Sequence, residues 1–475
     1  MPPAYALPSA LDTRAAHRHH ASRMEQTDPH YTRMIQAPVG GLVISLAVPT
    51  IISMLVTSIY NMADTYFVSK LGTSASGAVG VVFALMAIIQ AIGFTVGMGS
   101  GSLISRLLGA HRTDEASRVA ASGFYMSLLF GALLATAGLL FLDPLMRGLG
   151  ATATILPYAR DYAQYILFAA PVMTASFVLN NILRAEGQAR LAMVGITAGG
   201  ILNCGLDPLF IFVFKMGIAG AAIATALSQL ISMLILLSCF VRNRTVCKLS
   251  LPKLSRTPDT YLQILKNGLP SFCRQGLASI STVALNVNAA VYGDAAVAAM
   301  SIVGKIFMFI FSVTLGIGQG YQPVLGYNYG ARNFRRVREA FFFTMKTCIV
   351  FMAACSIGGF AAAPFLMKLF IATDPDVIAI GSKALRAQCL TMPLIPLGVM
   401  CNMTFQSIGK SWTATFLAAA RQGIFFLPSI LILPRLLGLT GVQITQPLAD
   451  ACTFLCCIPF TIHFFRELKI EQTIS

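Results

Sequence analysis

The chain has 475 residues, 56% of them hydrophobic and 11% charged, with a mean hydropathy of +0.73. Those proportions exclude a soluble globular protein of this size and indicate a polytopic membrane protein. The net charge of +16 would suit a nucleic-acid partner, but the Lys and Arg residues fall in short hydrophilic breaks between apolar runs, as membrane topology requires, so no nucleic acid is expected.

Residues 1–36 are polar, carry a His17/His19/His20 cluster and lack the continuous apolar core of a signal peptide, which predicts a disordered, uncleaved tail. The phrase Met24-Glu-Gln-Thr-Asp-Pro reads as a natural chain start, with residues 1–23 an upstream extension that N-terminal sequencing would test.

A bilayer core of about 30 Å needs roughly 20 apolar residues per helix. Twelve segments of that kind follow, near residues 41–68, 77–104, 119–142, 158–183, 191–214, 217–240, 262–290, 296–325, 341–366, 379–407, 412–434 and 440–465. The N-terminal tail and the even-numbered connections carry most of the positive charge, for example Arg106, Arg112 and Arg118 in the second, Arg242 to Lys266 in the sixth and Arg332 to Arg338 in the eighth. The odd-numbered connections are poorer in it, so both termini are expected on the cytoplasmic side.

The halves of the chain repeat at a shift of about 221 residues: Pro49 meets Pro270, Gly72 meets Gly293, Gly97 and Gly99 meet Gly318 and Gly320, and Gly109 meets Gly330. One residue of slack then pairs Pro171, Asn180 and Gly187 with Pro393, Asn402 and Gly409. Each half has an even number of helices and enters the membrane the same way. The expected fold is therefore all-α, with twelve transmembrane helices in two six-helix bundles related by a pseudo-two-fold along the membrane normal. The expected divisions are a tail over 1–36, a bundle over 37–241, a cytoplasmic linker over 242–260, a second bundle over 261–466 and a tail over 467–475.

Within the fifth segment, Asn203-Cys-Gly-Leu-Asp207-Pro208 places an amide and a carboxylate one helical turn apart. A carboxylate in a membrane helix is costly and marks an ion or proton path by default. Counting from the outer helix ends at 1.5 Å per residue puts Asp64, Asp207 and Thr225 all roughly 9 to 12 Å deep, with Asn203 a turn deeper. Two carboxylates, an amide and a hydroxyl suit a hard cation such as Na⁺, or a proton shared between the acids. The plainer alternative for Asp64 is a helix cap beside Thr65.

The second half lacks this set, since Asp64 faces Leu285 and Asp207 faces Pro428 at the repeat shift. It holds Lys305, Gln319, Arg421, Gln443, Gln446 and Asp450 instead; Arg421 and Asp450 fall at similar depth, as a neutralising pair or a substrate contact. The eleven Cys residues lie mostly in apolar runs with no CxxC pair, as small buried hydrophobes do. No cofactor is implied. No clustered nucleophile or metal-ligand spacing points to an enzyme, and no phosphate-binding loop is present.

Pro49, Tyr60-Asn61-Met-Ala-Asp64-Thr-Tyr-Phe67, Leu183-Arg184-Ala-Glu186-Gly187, Asn203 to Pro208, Gly217 to Thr225 and Gln319-Gly320-Tyr321-Gln322-Pro323 together resemble the MATE family of multidrug and toxic compound extrusion transporters, in particular the bacterial DinF-type and staphylococcal exporter group. The resemblance spans about residues 35–465. It implies a monomeric antiporter of the bacterial inner membrane that expels cationic or amphipathic compounds in exchange for inward H⁺ or Na⁺. It also implies an N-lobe cation site, which falls on Asp64, Asn203, Asp207 and Thr225. A substrate cavity is expected to involve Tyr60, Asn61, Asn180, Gln319, Tyr321, Arg421 and Asp450. The rival expectation is a flippase for lipid-linked sugars of the same superfamily, with Arg274, Lys305 and Arg421 as its basic residues.

Overall fold

The computed structural model describes residues 29–371 and 374–474. The expectations for the His17/His19/His20 cluster and for a start at Met24 lie outside them. Among the described residues there is no strand. Twelve long helices carry the fold: α1 (Val39–Ser69), α2 (Thr73–Gly109), α3 (Thr113–Leu140), α4 (Leu156–Ala185), α5 (Ala189–Pro208), α6 (Gly217–Val241), α7 (Pro258–Ala290), α8 (Asp294–Gly330), α9 (Phe334–Ala361), α10 (Pro375–Ile408), α11 (Ser411–Leu437) and α12 (Leu439–Ile474).

Eleven of these are long and apolar enough to cross a membrane by length and composition. The other, α7, has the length but carries more polar groups, and they are used inside the protein. Gln406 on α10 donates to the Asn267 carbonyl and to Ser271, each at 2.9 Å, and Arg274 donates to Asn402 at 3.1 Å. Helices α3 and α9 end earlier than expected, where short helices Leu142–Gly148 and Ala363–Phe370 branch off, each with a Pro in its first turn.

The tail expected to be disordered through residue 36 instead contains a helix over Pro29–Gln36. Its cause is one apolar face: Met34 is buried against Gly187, with Tyr31 and Ile35 packed beside it, and Tyr31 donates to the Gly109 carbonyl at 3.2 Å.

The internal repeat is visible in backbone and side-chain geometry. Gly72 and Gly293 open α2 and α8 with φ of 116° and 96°, and Gly187 and Gly409 have φ of 82° and 86°, values a Cβ would strain. Asn180 ties α4 to the Ala192 carbonyl of α5 at 3.0 Å, and Asn402 ties α10 to the Ala414 carbonyl of α11 at 2.7 Å, at the repeat offset.

The bundles meet through equally reciprocal contacts. A Cβ on Gly109 of α2 would overlap the Tyr327 carbonyl of α8, and one on Gly330 of α8 would overlap the Arg106 carbonyl of α2. Higher in the seam, Gly99 packs against the backbone of Ile264 and Gly268 on α7, while Gly320 packs against the backbone of Leu46 and Ala47 on α1. Small residues let helix backbones approach this closely in a membrane, where dispersion rather than water release drives packing. Arg106 donates to the Ile408 carbonyl at 2.9 Å and Arg336 to the Ala37 carbonyl at 2.6 Å. All these cross-bundle contacts lie in the half nearer the end where the basic connections emerge, so the seam is closed at that end.

The connection after α6 also lies there. It runs along α3, where Lys248 N–H bonds Ser117 at 3.2 Å and Ser255 N–H bonds Ser122 at 3.0 Å. Its first turn is captured by Glu186, a fully buried carboxylate that accepts the Val246 and Cys247 amides at 3.0 and 2.9 Å. Burial pushes the Glu186 carboxyl up to about 7, against the pull of those amides.

Candidate functional site

Helix α5 is apolar along most of its length, with Asn203 and Asp207 one turn apart and both buried. Asn203 Nδ2 lies 3.2 Å from Asp207 Oδ1 and 3.2 Å from Thr225 Oγ1 on α6, and donates to both. Helix α1 brings in Asp64, 9% exposed, whose Oδ2 accepts the hydroxyl of Tyr162 on α4 at 3.3 Å. Asp64 is near enough for its charge to act on Asp207 and on Tyr162. The four residues expected from depth thus converge from α1, α5 and α6. Tyr162 completes them and had no signal in the sequence beyond being one Tyr in a small-residue helix.

The local chain loosens just beyond the site. Pro208 has no N–H for the Cys204 carbonyl and interrupts the helical ladder. The backbone widens into a π-helical turn over Leu209–Val213, a distortion frequent at functional sites.

The electrostatics are unbalanced. Asp64 Oδ1, Asn203 Oδ1 and Asp207 Oδ2 are buried with no hydrogen-bond partner. No Lys, Arg or His among the described residues pairs with either carboxylate. A buried carboxylate without a counter-charge costs several kcal/mol and is relieved by a proton or a bound cation. Three spare oxygens from two acids and an amide are acceptors only, and fit a hard monovalent cation or a proton held between them.

A second polar centre sits in the other bundle. Arg421 Nε donates to Asp450 Oδ1 at 2.7 Å, with Asp450 fully buried and the Arg421 side chain 15% exposed. Gln388 on α10 donates to Asp450 Oδ2 at 2.8 Å and Gln446 to Oδ1 at 3.0 Å. The guanidinium lies over Phe307 and Phe311 of α8, 5.3 and 4.9 Å from their centroids, an arrangement that holds the cation by the ring quadrupoles. Arg421 stands in a π-helical stretch of α11, Ala420–Phe426. The pair was legible from depth; Gln388 and the two Phe rings were not.

The remaining expected cavity residues do not gather at one place. Tyr60 is buried beside Asn203, lining a small cavity. Asn61 is half-buried on α1, its carbonyl accepting Thr65 at 2.9 Å. Asn180 is the tie between α4 and α5 described above. Tyr321 is fully buried and its hydroxyl lies 2.9 Å from Thr404, a contact between α8 and α10. Gln319 sits at the seam and accepts from Arg184 of the other bundle, which also donates to Asn181 at 2.7 Å.

Comparison with known proteins agrees on the family and the fold. The family model described as MatE matches twice, over residues 49–209 and again over 270–431, one match in each repeat. The multidrug export protein MepA of Staphylococcus haemolyticus strain JCSC1435 is 28% identical over 423 residues, covering 89% of this chain and 92% of the relative. MepA of Staphylococcus aureus strain MSSA476 is also 28% identical, with 92% and 96% covered. A MATE crystal structure in complex with MaL6 superposes with a TM-score of 0.88 at 29% identity, covering 93% of this chain and all of that one. An outward-facing multidrug resistance MATE transporter of the MOP superfamily superposes with a TM-score of 0.87 at 29% identity, with 92% and 98% covered.

Proposed function

Because the chain belongs to the MATE family of transporters, we propose that it is an antiporter that expels cationic or amphipathic organic compounds in exchange for Na⁺ or H⁺ entering at Asp64 and Asp207. The observation that carries this reading is the pair of buried carboxylates with spare oxygens and no basic partner. Such a site is unstable when empty and ionised, and its occupancy by a cation relieves that instability. Occupancy therefore favours whichever packing of α1, α4, α5 and α6 holds the acids closest. Substrate binding favours the other packing, and each ligand moves the equilibrium only by its differential affinity for the two states.

The positive-inside rule assigns the basic end, with both termini and the Glu186-held linker, to the cytoplasm. The closed seam is then the cytoplasmic one, and the conformation is outward-facing. The membrane in this reading is a bacterial cytoplasmic membrane, and one chain forms the transporter. The cationic substrate class rests on the relatives' role in multidrug export and on the two buried carboxylates, Asp64 and Asp207, of the N-terminal bundle. A lipid-linked sugar flippase would need several free basic groups for a pyrophosphate, but of the three expected Arg421 is engaged by Asp450 and Arg274 by Asn402, and Lys305 alone is exposed.

The test is ethidium efflux from cells expressing the chain, with Na⁺ and pH gradients imposed separately. Efflux that follows one gradient and is lost in Asp64→Asn and in Asp207→Asn, at normal membrane insertion, is the expected result. Undiminished efflux in both variants would remove the site from the mechanism.

A further inference from the structure

Directly inward of Asn203 and Thr225, the N-terminal bundle holds a partly open cavity of about 40 Å³ whose lining includes Tyr60, Asn203, Thr225, Ser228, Ser232 and Ser176. On the measure that a single water needs about 10–15 Å³ of such space, it has room for about three or four waters. Thr225, Ser228 and Ser232 follow one another at helical spacing, so α6 presents them as a ladder along one face.

Ser228 combines an unpartnered hydroxyl with a place in the cavity lining. Many buried Ser and Thr of the spanning helices donate to the carbonyl one turn back, as Thr50 does to Leu46, Ser53 to Pro49, Ser312 to Met308, Thr445 to Gly441 and Thr453 to Ala449, while others, such as Ser100, Thr314 and Thr344, make no such bond. Ser228 Oγ is buried and makes no such bond, and Asn203 Oδ1 at the top of the cavity also has no partner. Ser232 Oγ lies 3.5 Å from Ser176 Oγ of α4 at the inner end. Inward of that contact the helices are sealed by Leu236, fully buried where a Cβ on Gly195 of α5 would overlap it. Two unsatisfied buried polar atoms cost about 1–3 kcal/mol each, and water is the occupant that satisfies both and fits the volume.

We propose that this cavity is the inward leg of the ion's route. The coupling cation, Na⁺ or H⁺, leaves the carboxylates by way of waters held by Asn203, Ser228 and Ser232, and the Ser176–Ser232 contact closes the floor until the bundle repacks. The inference rests on the coupling role assigned to Asp64 and Asp207, and it adds a route through the bundle rather than along the seam between bundles.

Thr and Val have nearly the same shape and differ by one hydroxyl, so Ser228→Thr and Ser228→Val separate chemistry from packing. The measurement is ethidium transport driven by an imposed ion gradient in proteoliposomes, alongside equilibrium ethidium binding and with Asp207→Asn as a control. Ser228→Thr is expected to transport within twofold of the unaltered chain. Ser228→Val is expected to be at least tenfold slower with ethidium binding unchanged. Equal rates in the Thr and Val variants, whether both active or both dead, would overturn the route by showing that the hydroxyl is not used. Wild-type transport by Asp207→Asn would instead overturn the coupling assignment itself.

Discussion

Tyr162 on α4 donates its hydroxyl to Asp64 on α1 at 3.3 Å, and both side chains are buried. Among the described residues no other group bonds the Asp64 carboxylate, and Oδ1 has no partner. The Tyr162 bond fixes the direction in which Oδ1 faces and links α1, which carries Asp64, to α4. Tyr162→Phe keeps the ring in its packed place and removes the bond. A hydrogen bond to a charged group is worth about 1.5–3 kcal/mol, so ion-driven efflux is expected to fall by roughly ten- to a hundredfold, with dye binding intact. Initial efflux rates across a range of ion concentrations check this.

The glycine clasp at the basic end predicts a conformational effect. In Gly330→Ala the new methyl meets the Arg106 carbonyl, a backbone atom that no rotamer change can move aside. The seam must spread, and the population shifts toward a state open at that end. Spin-label distances across the ends of α2 and α8 are expected to lengthen. Gly80→Ala, with nothing within 4 Å of the added methyl, serves as the neutral control.

The Arg421–Asp450 pair predicts strong non-additivity. Removing one partner leaves the other charge buried and typically costs about 3–5 kcal/mol, whereas replacing both with apolar residues of similar volume is close to neutral. Asp450→Leu alone is therefore expected to lower the midpoint of thermal unfolding markedly, and Arg421→Met with Asp450→Leu to restore most of it. A double-mutant cycle on purified protein provides the measurement.

Glu186 predicts a pH dependence of stability. Its carboxyl titrates at about 7 in the folded chain against an ordinary 4.5. Between those values the folded chain holds a proton that the unfolded chain has released. Stability therefore falls as pH rises from 4.5 to 7, by about 3 kcal/mol in all, and levels off above. Thermal unfolding at pH 5 and pH 8 should show this loss in the native chain and much less of it in Glu186→Gln.

The elements most legible in the sequence were those fixed by composition along one helix. Hydropathy placed the spans, the repeated Gly and Pro residues disclosed the two bundles, and Asn203 and Asp207 stood out because polar groups are costly in an apolar segment. What was not legible depends on how helices rotate against each other. Tyr162 and Gln388 reach their carboxylates from α4 and α10, and nothing about a single Tyr or Gln says which neighbour it faces. The same limit applied in reverse to Asn180 and Tyr321, which sit in conspicuous motifs and tie helices together. The helix over Pro29–Gln36 is too short and too polar to stand out from the tail, although Tyr31, Met34 and Ile35 share one face that packs on the core.

The central claim is that ion entry is coupled to export through Asp207. It is tested most directly by reconstituting the chain and its Asp207→Asn variant in proteoliposomes and recording ethidium movement against its gradient when a Na⁺ or pH gradient is imposed. The account predicts uphill movement with one of the two gradients for the native chain. For Asp207→Asn it predicts no uphill movement, with ethidium binding unchanged. Gradient-driven uphill transport by Asp207→Asn would contradict it.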